Sequence, residues 1–455
     1  MMLDVRNPVS NEVVGTVPCD TPQSVEKRIA NLKSYDQTLN TEERSEILRR
    51  AADLLNARKE DFSIRITQEA GICIKESRRE VDRACINLRV SASETERIHG
   101  EALRVPFRQQ NKLALTIYEP VGLVCAITPF NRPLNQVVVK VAPSFGANNS
   151  IIVKPSEVTP LSALAFMDLM YECGMPENAG ACSVGFPEEI GSSLLQSQCV
   201  DMVTFTGSVE TGERIMKMAG LKKTLMELGG NDPLIVLADA DLRHAAAVAS
   251  AGAFGTAGQS CRGVKRIIVM DEVADAFLKL LMVEARKLRI GDPFDPQTDI
   301  GSLISVEAAK QVEARCLTAV ANGARLLMGG QRDGPFMQAT VLDNVSQDSD
   351  LIIQETFGPV APLIRVNSLE EALRVANSTP YGLQAGVITN NIRDFFYLAS
   401  KLRVGGVGLN EGPQFDSPHI PFGGVKRSGI GREGIRYTIR EMSTVKTVLL
   451  GWGTL

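Results

Sequence analysis

The sequence predicts an α/β fold with largely parallel sheets. Helical and strand patterns alternate through most of the chain, and runs of strands never separate from runs of helices. The composition is that of an ordinary globular protein, with 44% hydrophobic and 22% charged residues. No internal repeat interrupts the alternation, and no linker is long enough to separate independent modules. The 455 residues suit about three domains.

The first clear helix opens at Asn40, with Glu43 three positions on, a capping-box pattern. Ile47, Leu48, Ala51, Ala52, Leu54 and Leu55 supply its apolar positions. A second helix carries EVDRACINLRVSASETERI over residues 80–98. The alternating stretch NKLALTIYEPVGLV, from Asn111, then reads as a β-hairpin arm. VGLVCAITPFN is a strand running into a turn at residues 129–133 and a following helix. NNSIIVKPSEVTP is a second strand, closed by Pro155, and CVDMVTFTGSVETGERIMKMA a third strand-turn-helix unit. TLMELGGNDPLIVLADADL places a loop at Gly229 and Gly230, where the domain is expected to change. The uncharged run over residues 245–261 reads as a tightly packed helix, followed by the turn GQSCRG and the strand VKRIIVM. Further α/β units lead to VGGVGLN at Asn410, and the chain closes on the exposed-looking strand MSTVKTVLL.

Lys plus Arg number 49 and Asp plus Glu 53, a net charge of −4. This mild acidity argues against nucleic acid as a partner, because binders of the phosphate backbone carry a basic excess or stripe. The N-terminus has no signal-peptide pattern, and no run of about 18 apolar residues suggests a membrane span. The nine Cys include no CxxC pair, and His99, His244 and His419 are scattered, so neither a disulfide framework nor a metal site is expected. These features predict a reducing, cytoplasmic setting in which most Cys are small buried apolar residues.

Four features carry chemistry: Asn131 in a strand-to-helix turn, Glu227 in ELGGNDP, Cys261 in GQSCRG and Glu355 in QETFGP. A nucleophilic thiol, an amide that can hold an oxyanion and a carboxylate that can activate water together describe acyl chemistry at a thioester. Singly, each has an ordinary reading as a turn cap, a surface acid or core packing.

The ordered set PFN, KPSE, FTGS, ELGG, GQSC 34 positions after Glu227, ETFGP and PFGGVKRSG resembles the aldehyde dehydrogenase superfamily over essentially the whole chain. PFNRPLNQV and the GVKRSGIGREGIRY tail resemble the branch containing lactaldehyde, non-phosphorylating glyceraldehyde-3-phosphate and phosphonoacetaldehyde dehydrogenases. The resemblance implies a Rossmann-like cofactor domain (1–103 and 123–227), an α/β catalytic domain (228–435) and a small β oligomerisation arm (104–122 and 436–455). In the family such arms pair between subunits, which implies a homodimer or homotetramer.

By the same resemblance Cys261 is the nucleophile, Asn131 the oxyanion donor and Glu227 the base that activates water for hydrolysis of the thioester. Relatives that lack this Glu pass the acyl group to coenzyme A. Lys154 and Glu157 in KPSE match the residues that hold the adenosine ribose. A carboxylate there repels a 2′-phosphate and favours NAD over NADP. Gly207 and Ser208 match the turn facing the pyrophosphate, at a helix N-terminus suited to anions. Glu355 and Phe357 match the groups that hold the nicotinamide ribose and ring.

Three positions at the substrate mouth of the family correspond to Arg83, Arg132 and Arg262. Guanidinium groups bind phosphonate, phosphate, sulfonate or carboxylate through charge-assisted hydrogen bonds. Arg262 is also placed to favour the Cys261 thiolate. The expected activity is therefore NAD-dependent oxidation of a small anionic aldehyde to its acid. A phosphonoaldehyde is the first choice, with sulfonated or phosphorylated short aldehydes and lactaldehyde as alternatives. A coenzyme A-acylating semialdehyde dehydrogenase and a non-enzymatic structural relative remain as other readings.

Overall fold

The computed structural model describes residues 1–105, 112–415 and 417–451. The start of the expected arm strand at Asn111, and residues 452–455 of the same arm, lie outside the described residues.

The capping box at Asn40 is present. The Glu43 N–H donates to Asn40 Oδ1 at 2.9 Å, and the Asn40 N–H donates to Glu43 Oε2 at 2.8 Å. The helix so started, Thr41–Ala57, buries Ile47, Leu48, Ala51, Ala52 and Leu55 against the long helix Ile74–Thr95. Each fully buried Ile or Leu contributes roughly 1.5–3 kcal/mol of transfer free energy.

Among the described residues, three sheets of three or more strands organise the chain, beside two two-stranded ones. The first contains Gly429–Ile430, Lys223–Glu227, Met202–Thr206, Leu123–Ile127, Ser150–Lys154 and Gly180–Cys182, in that spatial order. All pairs are parallel except the one made by Gly429–Ile430. The chain steps outward from Leu123–Ile127 to Ser150–Lys154 and Gly180–Cys182. It then crosses back to Met202–Thr206 on the other side of the first strand. This reversal opens a crevice between the carboxyl ends of Leu123–Ile127 and Met202–Thr206, the place where open parallel sheets bind ligands. Asn131 follows the first of these strands, and Gly207 and Ser208 follow the second.

The second sheet has seven strands, Arg325–Met328, Thr340–Asp343, Val360–Val366, Arg266–Met270, Pro233–Val236, Gln384–Ile388 and Gly406–Leu409. Only Arg325–Met328 runs antiparallel to its neighbour. Its central strands are fully buried, as their unbroken Val, Ile and Leu runs require of a parallel sheet covered on both faces. The third sheet pairs Ser443–Gly451 with Lys112–Pro120 and adds Ala102–Leu103, all antiparallel.

Several sequence expectations change. NKLALTIYEPVGLV is not a hairpin: Lys112–Pro120 pairs with the C-terminal strand, whereas Leu123–Ile127 enters the first sheet. Gly122 makes the break at φ +119°, and a Cβ there would meet the Asp201 carboxylate at 2.2 Å. The helix expected over 245–261 is shorter, Leu242–Phe254. Thr256 and Ala257, both at φ 53°, and Gly258 at φ +71° turn the chain left-handed and release Cys261 from the helix. The division expected at 435/436 falls inside the helix Ile435–Glu441, whose Ile435 and Ile439 join the first core. The arm strand begins only at Ser443. Gly429–Ile430, expected in the catalytic part, instead adds to the first sheet beside Glu227.

Candidate active site

The PFGGVKRSG motif explains how Glu227 is held. Glu227 ends its strand opposite Gly429. The Leu228 N–H donates to Ser428 O at 3.0 Å, and the Ser428 hydroxyl donates to Gly229 O at 2.7 Å. The ELGG loop then passes under the nucleophile so closely that a Cβ on Gly230 would meet the Cys261 carbonyl oxygen at 2.5 Å.

Cys261, Asn131 and Glu227 converge on one cavity of about 330 Å³ in the crevice. Asn131 Nδ2 donates to Gln259 O at 2.9 Å, which fixes the amide beside the Cys261 turn. Glu227 is buried, 2% exposed, and neither carboxylate oxygen makes a hydrogen bond to protein. Burial pushes its pKa up to about 8. The nearby Glu433 pushes the same way, and the Lys140 ammonium and the Cys261 thiol oppose it. The Cys261 thiol is also pushed well above its ordinary value, first by burial and then by the Glu227 carboxylate. Arg262 pulls it down as expected, but it is outweighed.

The same cavity is lined by Gly207, Ser208, Glu355 and Phe357, together with Thr206 and Arg315. Ser208 caps the helix Val209–Ala219, accepting from the Thr211 N–H at 3.3 Å. Thr206 Oγ1 is buried without a partner. A largely apolar cavity of about 330 Å³ at a helix N-terminus, with the orphaned Thr206 hydroxyl beside it, fits a dinucleotide. Glu355 is pushed up to about 7 by burial, with Lys265 opposing. Lys154 and Glu157 do not line this cavity. They sit at the end of the neighbouring strand, where Lys154 Nζ donates to Glu157 Oε2 and to Pro155 O, both at 3.2 Å.

A second, smaller cavity of about 80 Å³ lies on the other side of Cys261. It shares Asn131, Gln136 and Cys261 with the first, and Arg83, Arg132 and Arg262 all line it, with Phe422 and Glu433. Arg132 Nη2 donates to Thr256 Oγ1 at 2.6 Å, and Nη1 lies 4.0 Å from the buried Glu80 carboxylate. Arg262 Nη1 donates to Phe415 O at 3.3 Å, and its guanidinium lies 5.8 Å from the centre of the Phe422 ring. Among the described residues no cluster of three His, Cys, Asp or Glu forms a metal site, and no helix is long and apolar enough to cross a membrane.

Sequence reasoning missed Glu80, Lys140, Glu433 and Lys265. Glu80 accepts the Leu134 and Asn135 N–H groups that start the next helix. Lys140 and Glu433 form a buried ion pair beside Glu227. Their partners lie far off in sequence, so spacing carries no signal for them. Lys265 did leave one: two adjacent cations, Lys265 and Arg266, open a strand that is otherwise wholly apolar.

The comparisons with known proteins agree with this geometry. The aldehyde dehydrogenase family matches residues 1–448, and the chain belongs to that family. It is 41% identical over 451 residues to a 3-sulfolactaldehyde dehydrogenase of Priestia aryabhattai, covering 98% of this chain and 94% of the relative. It is 40% identical to a lactaldehyde dehydrogenase of Methanococcus maripaludis, covering 92% of this chain and 90% of that one. The solved glyceraldehyde-3-phosphate dehydrogenase of Methanocaldococcus jannaschii, complexed with NADP, superposes with a TM-score of 0.96 at 37% identity over 99% of both chains. The protein is an NAD(P)-dependent aldehyde dehydrogenase with the family's α/β fold.

Proposed function

We propose that the protein oxidises a short anionic aldehyde to its carboxylic acid, with the anionic end held by Arg83, Arg132 and Arg262. The observation that carries this reading is the presence of three guanidinium-bearing residues in one small cavity that also contains Cys261 and Asn131. A cavity of about 80 Å³ suits a two- or three-carbon chain rather than an aromatic or long aliphatic one. The 3-sulfolactaldehyde dehydrogenase relative supports a sulfonate ahead of the phosphonate expected from the sequence. The resemblance to the lactaldehyde enzyme keeps the uncharged hydroxyaldehyde as the second reading.

In the reaction so assigned, Glu227 takes the proton of the Cys261 thiol as sulfur bonds to the aldehyde carbon. Asn131 Nδ2 and the Cys261 N–H hold the oxyanion that forms. A nicotinamide held by Glu355 and Phe357 would accept the hydride that leaves this carbon as the oxyanion collapses to the thioester carbonyl. Glu227 then passes its first proton to solvent and, as a carboxylate again, removes one from water; the water oxygen bonds to the acyl carbon, the carbon–sulfur bond breaks, and Glu227 returns that proton to the Cys261 sulfur as the acid leaves. A retained Glu227 favours water over coenzyme A as the acyl acceptor.

Gly207 and Ser208 would face the pyrophosphate, and Glu355 and Phe357 the nicotinamide ribose and ring. We infer NAD rather than NADP because the Glu157 carboxylate, beside Lys154, would repel a 2′-phosphate. The exposed strand Ser443–Gly451, with Val445, Leu449 and Leu450 uncovered, supports pairing with a second copy as a homodimer or homotetramer. The cytoplasm is the compartment that suits nine free thiols.

The test is an absorbance screen for NADH formation on sulfo-, phosphono-, phospho- and carboxy-aldehydes against lactaldehyde. The expected result is a kcat/KM at least about tenfold higher for one anionic class, from one or more charge-assisted hydrogen bonds of about 1.5–3 kcal/mol each. Equal or better turnover of the uncharged aldehyde would overturn the reading.

A further inference from the structure

Lys265 is a buried cation, 4% exposed, that the reaction as described does not use. Its ammonium donates to Gly258 O at 2.6 Å and to Thr356 O at 3.1 Å. It also lies 5.0 Å from the centre of the Phe357 ring. Gly258 belongs to the turn that presents Cys261, and Thr356 stands between Glu355 and Phe357. One side chain therefore joins the two loops that carry the nucleophile and the predicted nicotinamide contacts. Its neighbour Arg266 points the opposite way, into the carbonyls of Asn231, Val375 and Ala376, and is purely structural.

The electrostatic surroundings give Lys265 a second consequence. A buried ammonium with two carbonyl acceptors requires a nearby anion to stay charged. The groups whose charges act on it are Glu355, Cys261 and Asp232. Glu355 in turn feels Lys265 first among charges, then Glu210 from the helix Val209–Ala219 and Arg315 from Val306–Ala321. The Gly230 N–H also donates to it. Arg315 holds the Glu355 carbonyl and the Thr356 hydroxyl, so the loop is clasped from two sides, but only Lys265 also reaches the Cys261 turn.

We propose that Lys265 is a positioning residue of the dehydrogenase reaction: it pins the Cys261 turn to the Glu355–Phe357 loop and keeps the Glu355 carboxylate ionised to receive the cofactor. The proposal rests on the reading of Glu355 as a cofactor contact, and the experiment separates the two.

Cofactor affinity is measured by calorimetry from pH 5.5 to 9 for the wild type, K265M, K265Q, K265R and E355Q. In the wild type, binding weakens as pH falls through about 7, the pKa to which Glu355 is raised. E355Q binds weakly with no such inflection. K265M and K265Q move the inflection up by about one unit or more, as expected when a nearby opposite charge is lost. At pH 7 this weakens binding about fivefold or more, since the ionised fraction falls from about one half to about one eleventh. K265R, which keeps the cation, restores the inflection. K265Q retains hydrogen-bond donors for the two carbonyls, so it reports on charge even where K265M folds poorly. A loss of affinity by the same factor at every pH, with the inflection in place, would reduce Lys265 to a loop staple and overturn the proposal. An E355Q profile identical to the wild type would instead overturn the cofactor reading of Glu355.

Discussion

Replacing Glu227 by Gln is expected to cost turnover and raise stability, and the two effects have one cause. The folded-state pKa of Glu227 is about 8 against an ordinary 4.5, chiefly because the carboxylate is buried. Folded protein therefore holds this proton more tightly than unfolded protein, and stability falls as pH rises from about 4.5 to 8. A displacement of about 3.5 units at 1.36 kcal/mol each gives roughly 5 kcal/mol, fully lost above pH 8. Gln carries no charge to bury. E227Q should match the wild type near pH 5 and exceed it by up to about 5 kcal/mol near pH 9. At about 2.1 cal/mol/K per residue the chain unfolds with roughly 1 kcal/mol/K, so the Tm gap should open by about 4–5 °C between these pH values. In the same variant, steady-state turnover should fall by about 10²–10⁴, the usual contribution of a general base. Rapid-mixing absorbance should show the NADH burst slowed as well, because Glu227 also takes the Cys261 proton before the thioester can form. A Tm gap that does not grow with pH would refute the burial argument. A burst that keeps its wild-type rate while turnover falls would confine Glu227 to activating water.

Other variants probe the remaining parts of the site. N131A removes the side-chain oxyanion donor and should lower kcat by about 10²–10³ with little change in cofactor affinity, read by steady-state kinetics and calorimetry. R132A and R262A should each lower kcat/KM for the anionic substrate by about ten- to a hundredfold while leaving an uncharged aldehyde of equal length within about threefold. Equal losses on both substrates would show these arginines to be structural. E157A should raise kcat/KM with NADP relative to NAD, by removing the carboxylate beside Lys154; an unchanged ratio would place cofactor preference elsewhere. Coenzyme A should not increase NADH formation by the wild type.

The loops that end strands carry short, composition-specific patterns, so PFN, FTGS, ELGG, GQSC and ETFGP each led to the crevice they line. What the sequence could not show is where distant segments return. Glu433 reaches Lys140 across 293 positions, and Gly429–Ile430 closes the edge of the first sheet against the strand that ends at Glu227. The alternation in residues 112–120 is a true strand signal, but alternation names no partner, and the hairpin reading chose the nearer one. The helix pattern over 245–261 failed because Thr256 and Ala257 adopt a left-handed conformation that side-chain type does not announce. Arg132 shows the same limit at the level of a single side chain. Its place at the mouth was legible, but Thr256 and Glu80, which constrain its guanidinium, were not.

The mild acidity of the chain conceals opposite local fields on the two sides of Cys261. Three arginines and Glu433 line the substrate cavity, whereas Glu227 and Glu355 line the other, both buried and both pushed upward. The thiol lies on the boundary, and burial with the acidic neighbours prevails over Arg262, so the resting sulfur is protonated. A protonated, half-shielded thiol is a poor target for oxidants, which attack thiolate. Activation then requires a base close by whose own pKa is not far below that of the thiol. An ordinary carboxylate near 4.5 would take the proton at great cost, whereas Glu227, raised to about 8, takes it at a lower one. The same raised pKa suits it to accept a proton from attacking water in the second half-reaction. The burial that destabilises Glu227 as an anion is thus what fits a single carboxylate to serve both steps.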